Sequence, residues 1–279
     1  MTRLYFTKMH GIGNDYVYID CFSQKVTDPE ALARRISPRR TGVGADGLIL
    51  ISPSTVAHCR MEMYNADGSR GEMCGNGIRC VGKYVYEHDL ARRLTLEVET
   101  DAGIKQVRLH TSAGRVQAVS VDMGEPVLDG PRIPVAAEGQ VINAPLRVGT
   151  QTYRVTCLSM GNPHCVVFMP DVDSLRLDEI GPQFEQHAFF PRRVNTEFIT
   201  PLTSGELRMR VWERGSGETA ACGTGACAAV VAAVLNGAAE RRALVHLTGG
   251  DLDIEWRSVD NHVMMTGPAE EVFHGEIEV

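Results

Sequence analysis

The feature of this 279-residue sequence that most constrains its fold is an internal repeat. Residues 63–80 contain the tetrapeptide C-G-N-G, which begins at Cys74, and residues 211–228 contain C-G-T-G, which begins at Cys222. In both stretches an aromatic residue is followed by a polar one that stands nine positions before the cysteine. Gly-Ser or Ser-Gly pairs, which favour turns, lie between them.

A second pair of matching elements lies upstream in the two halves of the chain. Gly13-Asn14 begins a segment that resembles the one beginning at Gly161-Asn162, and each asparagine precedes the cysteine of its half by 60 residues. Two elements that recur in the same order and at the same spacing indicate a duplication. Because the copies are few and long, the sequence predicts two similar halves rather than a solenoid.

The hydrophobic pattern alternates between strands and a few helices. Alternating apolar and polar residues predict strands at 94–98, 115–121 and 251–256. A helix is predicted to begin at Asp28-Pro29, with Asp28 as the N-cap. Another helix follows each C-G-x-G, and the one at 226–235 is apolar on every side, so we expect it to be buried.

These patterns predict an α+β protein of two pseudo-symmetric domains, each a curved, mainly antiparallel sheet wrapped around a central helix. We expect residues 1–122 to form the N-terminal half, which carries Cys74, and residues 123–265 to form the C-terminal half, which carries Cys222. Residues 266–279 are expected to return to the first half. The active site is expected in the cleft between the halves.

Charge and hydropathy argue against several classes of protein. The net charge of −7 argues against a nucleic-acid-binding protein, which needs a concentrated cationic surface. No apolar stretch is long enough to span a membrane, and the first residues lack a signal-peptide pattern, so we expect a cytoplasmic protein. In the reducing cytoplasm, the eight cysteines are not expected to form structural disulfides. Because none form a C-x-x-C pair, no metal site is predicted either.

A cysteine that precedes Gly-x-Gly at the start of a helix is suited to acid–base chemistry. Unpaired backbone N–H groups at a helix N-terminus favour an anion and lower the pKa of a thiol there. The glycines let a substrate carboxylate approach these N–H groups while the sulfur faces its α-carbon. Taken alone, either cysteine is more often a buried core residue, but two matched sites favour a chemical role for Cys74 and Cys222.

Two such cysteines meet the requirements of a stereoinversion by two bases. One thiolate removes the α-proton from one face of the carbon, and the opposite thiol delivers a proton to the other face. No cofactor is predicted, so hydrogen-bond donors aimed at the substrate carboxylate must stabilise the carbanion. By contrast, Cys80 and Cys227 lie further along the helices, where a core role is the better interpretation.

Several motifs together make the sequence resemble diaminopimelate epimerase over nearly its whole length. The matching stretches are K-M-H-G-I-G-N-D-Y at 8–16, Y-N-A-D-G-S at 64–69, C-G-N-G-I-R-C at 74–80, S-M-G-N-P-H-C-V at 159–166, R-V-N at 193–195, E-R-G-S-G-E-T-A-A-C-G-T-G-A-C-A at 213–228 and T-G-P-A at 266–269. The resemblance implies a homodimer that interconverts LL- and meso-diaminopimelate without pyridoxal phosphate. This reaction serves lysine and cell-wall precursor biosynthesis.

The resemblance also implies roles for individual residues. Cys74 and Cys222 match the two catalytic cysteines, and His164 and Glu213 match residues that tune the thiol pKa values. The implied substrate-binding side chains are Asn14, Asn65, Asn162, Asn195, Glu213 and Arg214. The implied backbone contacts to the substrate come from Gly75, Asn76, Gly223 and Thr224.

These residue types suit a substrate with an amino-carboxylate at each end. Asparagine can donate to a carboxylate and accept from an ammonium group, and Arg214 can hold a carboxylate with two hydrogen bonds. From spacing alone, Asn162-Pro163 is equally well explained as a turn, and His164 as a structural histidine. One departure is Gly47, which stands where some relatives have a substrate-contacting glutamine, so that side-chain contact is absent.

Other functions compete with this one. A proline or hydroxyproline racemase of the same architecture would also use paired cysteines, whereas a related isomerase would lack them. A thiol redox or metal-binding module gains little support from the cysteine spacing. A nucleotide site at residues 42–47, which read G-x-G-x-x-G, is disfavoured because a strand-like run follows where a helix is required. A cofactor bound to one of the four lysines stays open, although none of them has a supporting motif.

Overall fold

The structure is a computed structural model that describes residues 3–279. The chain folds into two compact units. One runs as far as Asp122 and resumes over Thr266–Val279, and the other comprises Met123–Met265. Between residues 3 and 279, no helix combines the length and the apolar character needed to cross a membrane.

From residue 3 onward, the first unit contains two α-helices and nine strands. The helices are α1 (Pro29–Ile36) and α2 (Gly75–Glu87). The strands are β1 (Arg3–Gly11), β2 (Asn14–Asp20), β3 (Gly47–Ser52), β4 (Cys59–Asn65), β5 (Arg70–Gly71), β6 (Thr95–Thr100), β7 (Gly103–Ser112), β8 (Arg115–Asp122) and, at the C-terminus of the chain, β18 (Glu270–Glu278).

The second unit repeats this plan. Its helices are α3 (Leu177–Glu185) and α4 (Gly223–Leu235). Its strands are β9 (Ala144–Val148), β10 (Gln151–Ser159), β11 (Pro163–Phe168), β12 (Asn195–Thr203), β13 (Glu206–Glu213), β14 (Gly217–Thr219), β15 (Arg242–Leu247), β16 (Gly250–Trp256) and β17 (Val263–Gly267), the last of which crosses the boundary between the units.

The strand pairings of the two units correspond one to one. In the first unit the order β18-β1-β2-β3-β4-β6-β7 is antiparallel except for parallel pairs at β2–β3 and β4–β6. In the second unit the order β9-β10-β11-β12-β13-β15-β16 has its parallel pairs at the equivalent places, β11–β12 and β13–β15. The predicted α+β architecture of two similar, mainly antiparallel halves is therefore confirmed.

The central helix of each unit is buried because of its composition. The α4 segment consists of small and branched apolar residues, and Ala226 to Ala233 are all fully buried. The helix begins at Gly223, three residues before the predicted start, because Cys222 already serves as its N-cap. The predicted stop is confirmed, since α4 ends at Leu235 and Gly237 adopts a positive φ of 67°.

The helix α1 begins where its sequence predicts. Asp28 is the N-cap, and its carboxylate accepts a hydrogen bond from the Ala31 backbone N–H. The apolar side of α1 packs on β3 through Leu32 and Ile36, within a core cluster of the first unit. A separate core cluster, centred on Phe184 and Phe198, lies in the second unit. Each unit thus buries its own core.

Candidate active site

Cys74 is the N-cap of α2, and its backbone is extended. Its sulfur accepts a hydrogen bond from the Gly77 backbone N–H at 3.3 Å. The thiol therefore satisfies one of the donors that a helix N-terminus leaves unpaired, and it lies where the helix stabilises negative charge. The side chain is only partly buried.

Asn14, at the start of β2, is in contact with Cys74. Its Oδ1 lies 3.3 Å from the Cys74 sulfur, from which it accepts a hydrogen bond. The same oxygen lies 3.4 Å from Asn76 Nδ2. The Nδ2 group of Asn14 donates to Asp46 Oδ2 at 2.8 Å. Since a carboxylate can only accept, Asp46 fixes the amide so that its carbonyl faces the thiol.

Asp46 belongs to a charged cluster that the sequence analysis did not identify. Asp15 lies 2.5 Å from Lys8 Nζ and 2.7 Å from Arg39, which also binds Asp46 at 2.8 Å. Burial raises the pKa of Asp46. Burial also acts to raise the pKa of Asp15, but the hydrogen bonds from Arg39 and Lys8 outweigh it and lower that pKa. The sequence signals for this cluster were slight: Asp15 directly follows Asn14, and Asp46 directly precedes Gly47.

Asn65 and Asn76 lie in the same unit but have different surroundings. Asn65 ends β4, and its side chain donates to Ser69 Oγ at 2.9 Å within the turn formed by residues 65–68. Asn76, the second residue of α2, is buried, and its Oδ1 has no hydrogen-bond partner among residues 3–279. Gly75 is the first residue of the helix. An unpartnered buried acceptor is unusual in a folded protein, which is consistent with a binding role.

Cys222 is the corresponding N-cap of α4, but its sulfur is buried. The Thr224 hydroxyl lies 3.5 Å from the sulfur. Burial, together with the nearby carboxylates of Glu213 and Glu197, raises the pKa of Cys222 well above its ordinary value. The helix N-terminus was expected to lower this pKa. Here desolvation outweighs it, because charging a buried thiol is costly.

This shift predicts the pH dependence of Cys222 alkylation. Only the thiolate reacts, so a raised pKa means that the reactive fraction still increases with pH above 9. We expect the iodoacetamide rate at Cys222, followed by peptide mass spectrometry, to rise without a plateau from pH 7 to 9. A small free thiol in the same tube serves as the control. A plateau for Cys222 below pH 8 would contradict the prediction.

In the second unit, hydrogen bonds link Cys222 through Thr224 to Asn162 and then to His164. His164, on β11, is fully buried and lies between Glu197 Oε1, 2.8 Å from Nδ1, and Asn162 Oδ1, 2.9 Å from Nε2. Asn162 Nδ2 in turn donates to Thr224 Oγ1 at 3.3 Å. Asn162 is therefore held by its neighbours rather than by a local turn alone.

Three further predicted residues lie where β13 ends and β12 begins. Glu213 is the last residue of β13, Arg214 follows it, and Asn195 is the first residue of β12. The Glu213 carboxylate accepts a hydrogen bond from the Thr219 hydroxyl, and burial raises its pKa. The Arg214 backbone N–H donates to Asn195 Oδ1 at 2.9 Å, and its guanidinium donates to the Arg192 carbonyl at 3.2 Å. The Nδ2 group of the buried Asn195 also has a partner, which is a backbone carbonyl. Asn195 therefore positions the backbone at Arg214.

Gly47 occupies a position that a larger side chain cannot fill without movement. A Cβ atom there would lie 2.1 Å from the Tyr64 carbonyl oxygen on the neighbouring strand. We expect Gly47→Ala to lower the free energy of unfolding by about 1–3 kcal/mol, measured by urea denaturation. Gly205→Ala is the control, since no atom lies within 4 Å of its added Cβ. Equal stability of the two variants would contradict this account.

Comparison with known proteins identifies the family. The family model for diaminopimelate epimerase matches residues 6–128 and 156–272. The chain belongs to the diaminopimelate epimerase family. A curated diaminopimelate epimerase from Moorella thermoacetica is 56% identical over 98% of this chain and 99% of its own length. One from Acetivibrio thermocellus is 51% identical over 98% of both chains.

Solved structures of other members of this fold are similar throughout, at low identity. A phenazine biosynthesis protein of the PhzF family from Enterococcus faecalis has a TM-score of 0.74 at 11% identity and full coverage of both chains. A hydroxyproline epimerase from Agrobacterium vitis has a TM-score of 0.71 at 15% identity, covering 99% of this chain and 91% of its own. At such identity these likenesses establish the fold alone.

Proposed function

We propose that this protein is a diaminopimelate epimerase that interconverts LL-2,6-diaminopimelate and meso-2,6-diaminopimelate without a cofactor. Full-length relatives with more than 50% identity that carry this name support the activity. The observation in the structure that carries the mechanism is the duplicated half-site. Each unit places one cysteine, Cys74 or Cys222, at the N-terminus of its buried central helix.

The two cysteines exchange proton roles in the two directions of the reaction. A thiolate removes the α-proton from one face of the substrate carbon, and the other cysteine, as a thiol, returns a proton to the opposite face. The helix N-termini supply N–H groups that stabilise the negative charge formed on the substrate carboxylate. Burial that raises the pKa of Cys222 favours its thiol form when no substrate is bound.

Polar groups near each cysteine suit an amino-carboxylate substrate. In the first unit we propose Asn14, Asn65, Gly75 and Asn76 as binding residues, and the unpartnered Asn76 Oδ1 supports this assignment. In the second unit we propose the following binding residues: Asn162, Asn195, Glu213, Arg214, Gly223 and Thr224. Two residues are proposed to tune the pKa of Cys222: Glu213, whose carboxylate acts on it directly, and His164, which is linked to it through Asn162 and Thr224.

The domain organisation, assembly and location are further proposals. We propose that residues 1–122 with 266–279, and residues 123–265, act as the two epimerase halves, and the compact units support this division. We also propose a homodimer in the cytoplasm that binds diaminopimelate as its substrate and has neither nucleic acid nor a membrane as a partner. Light scattering of the purified protein tests the assembly, and a monomer at micromolar concentration would overturn the homodimer.

The activity is tested by incubating the purified, reduced protein with LL-diaminopimelate in D2O without added cofactor. NMR follows both the isomer composition and the deuterium at the α-carbon. Formation of the meso isomer with solvent deuterium is the expected result. A folded protein that gives neither isomerisation nor exchange would overturn the substrate assignment. If the protein racemised proline or hydroxyproline instead, it would be a racemase for that amino acid, and the two-base mechanism would still apply.

A further inference from the structure

Glu197 is a buried carboxylate to which the resemblance and the proposed mechanism assign no function. It lies on β12, is fully buried, and one of its oxygens, Oε2, has no hydrogen-bond partner among residues 3–279. Burying a carboxylate in this way is costly, so a charge or a proton must compensate it. The group that contacts its other oxygen is His164, at 2.8 Å.

The contacts of His164 define where its protons lie. Asn162 Oδ1 faces Nε2 at 2.9 Å, and because a carbonyl oxygen only accepts, Nε2 must carry a proton. Glu197 Oε1 faces Nδ1, and this contact also needs a hydrogen between its two atoms. Glu197 and His164 therefore hold two protons between them, either as carboxylate and imidazolium or as carboxylic acid and neutral imidazole.

The orientation of Asn162 determines the hydrogen bond that reaches Cys222. With its carbonyl held by Nε2–H, Asn162 directs Nδ2 to Thr224 Oγ1 at 3.3 Å. The Thr224 oxygen then acts as an acceptor, and its own hydrogen is left for the Cys222 sulfur at 3.5 Å. This hydrogen bond acts to lower the pKa of Cys222, against burial and the carboxylates of Glu213 and Glu197, which raise it.

The first unit has the opposite polarity at the equivalent position. There Asp46 accepts from Asn14 Nδ2, so the amide carbonyl, rather than a donor, faces the Cys74 sulfur. A carbonyl stabilises a thiol, whereas a hydroxyl donor stabilises a thiolate. The duplicated asparagines thus have opposite orientations, each imposed by an ionisable side chain behind it.

We propose that Glu197, by holding a proton on His164 Nε2, orients Asn162 so that the Thr224 hydroxyl donates to the Cys222 sulfur. Glu197 and the Thr224 hydroxyl are positioning groups in this chain of hydrogen bonds, because both groups act on the substrate only through Cys222, whereas the proposed substrate contact of Thr224 is made by its backbone. The proposal rests on the proposed function of Cys222 as one of the two acid–base groups.

The first test measures the reactivity of Cys222 in three forms of the protein. At pH 8, Thr224→Val is expected to slow iodoacetamide alkylation of Cys222 about tenfold, since it removes the donor to the thiolate. Thr224→Ser is expected to restore the rate to within threefold of the wild type. Alkylation of the half-buried Cys21, in the other unit, serves as the internal control in each sample. An unchanged rate for Thr224→Val would overturn the proposal.

A double-mutant cycle tests whether Asn162 acts through Thr224. Asn162→Leu is expected to slow Cys222 alkylation in the wild-type background and to have no further effect when Thr224 is already valine. If the two substitutions slowed alkylation additively, the proposed series of hydrogen bonds from Asn162 through Thr224 to Cys222 would be overturned. Because alkylation needs no substrate, failure here leaves the proposed epimerase activity standing. Conversely, failure of the epimerase assay would not alter these rates.

A direct test locates the proton on His164 in the wild-type protein. In protein labelled with 15N-histidine, the His164 resonance, assigned by comparison with His164→Gln, is expected to show a proton bound to Nε2. Glu197→Gln is expected to move this resonance away from its wild-type position. Glu87→Gln is the matched control: it changes a buried carboxylate of the first unit that pairs with Lys83 and Arg115, and it should leave the resonance unchanged. An Nε2 without a proton in the wild-type protein would overturn the proposal.

Discussion

Replacing Cys222 by alanine is expected to lower kcat for diaminopimelate epimerisation at least about 10³-fold, and Cys74→Ala is expected to do the same. Each variant removes one of the two proton-transfer groups, and neither cysteine can replace the other because each serves one face of the carbon. Both cysteines are N-cap residues of central helices, and alanine removes only the sulfur atom there. The substitutions should therefore leave the fold intact.

The measurement follows isomer composition by NMR, with thermal unfolding recorded for each variant. Cys227→Ala is the matched control, because Cys227 lies five residues beyond Cys222 on the same helix and is fully buried. It should retain activity within about threefold while losing some stability through the cavity it leaves. A Cys74 or Cys222 variant with more than a tenth of wild-type kcat would contradict the two-base mechanism.

The architecture could be predicted from the sequence because short matching motifs reveal the duplication. Matching segments around Asn14 and Asn162, and around Cys74 and Cys222, fixed the order of elements in each half. The structure places these segments at the same points of two sheets with the same pairing order. Local signals such as Asp28 before Pro29 also sufficed to locate a helix start.

The side-chain partners of the site could not be predicted, because they come from strands that are neighbours only after folding. Asp46 and Asn14 are separated by 32 residues, and Glu197 and His164 by 33. Glu197 follows Asn195 and Thr196 at the start of β12, where alternation would predict one exposed side, yet all three are buried. Three consecutive polar residues that begin a buried strand are the signal that could have identified Glu197.

The pKa of Cys222 shows that a sequence motif alone does not determine the ionisation of its cysteine, because the surroundings of the site also contribute. A helix N-terminus stabilises a thiolate through partial charges, and its effect is modest. Burial opposes the negative charge of the Cys222 thiolate more strongly, and the carboxylates of Glu213 and Glu197 oppose it too. The C-G-x-G motif predicts neither the burial nor the two carboxylates. The same motif occurs at Cys74, where the side chain is only partly buried.

The last glycine of each C-G-x-G offers a comparison within one chain, and Gly225→Ala is expected to be far more damaging than Gly77→Ala. A Cβ at Gly225 would lie 2.7 Å from Glu197 Oε1 and 3.2 Å from the Cys222 sulfur. A Cβ at Gly77 would lie 2.7 Å from Ile49 Cδ1, the far end of a flexible side chain. The first clash must move a buried carboxylate or the sulfur itself, whereas the second can be relieved by a rotation.

We expect Gly225→Ala to lower the free energy of unfolding by about 1–3 kcal/mol. It should also lower kcat about 100-fold, because a shift of about 1 Å in a reacting group has an effect of that size. For Gly77→Ala, the gain in helix propensity, about 1 kcal/mol, should offset most of the crowding. Urea denaturation and the NMR assay measure both quantities. If Gly77→Ala proved as damaging as Gly225→Ala, the contacts with Glu197 and Cys222 could not explain the loss. Close approach of substrate to both helix N-termini would then be the common cause.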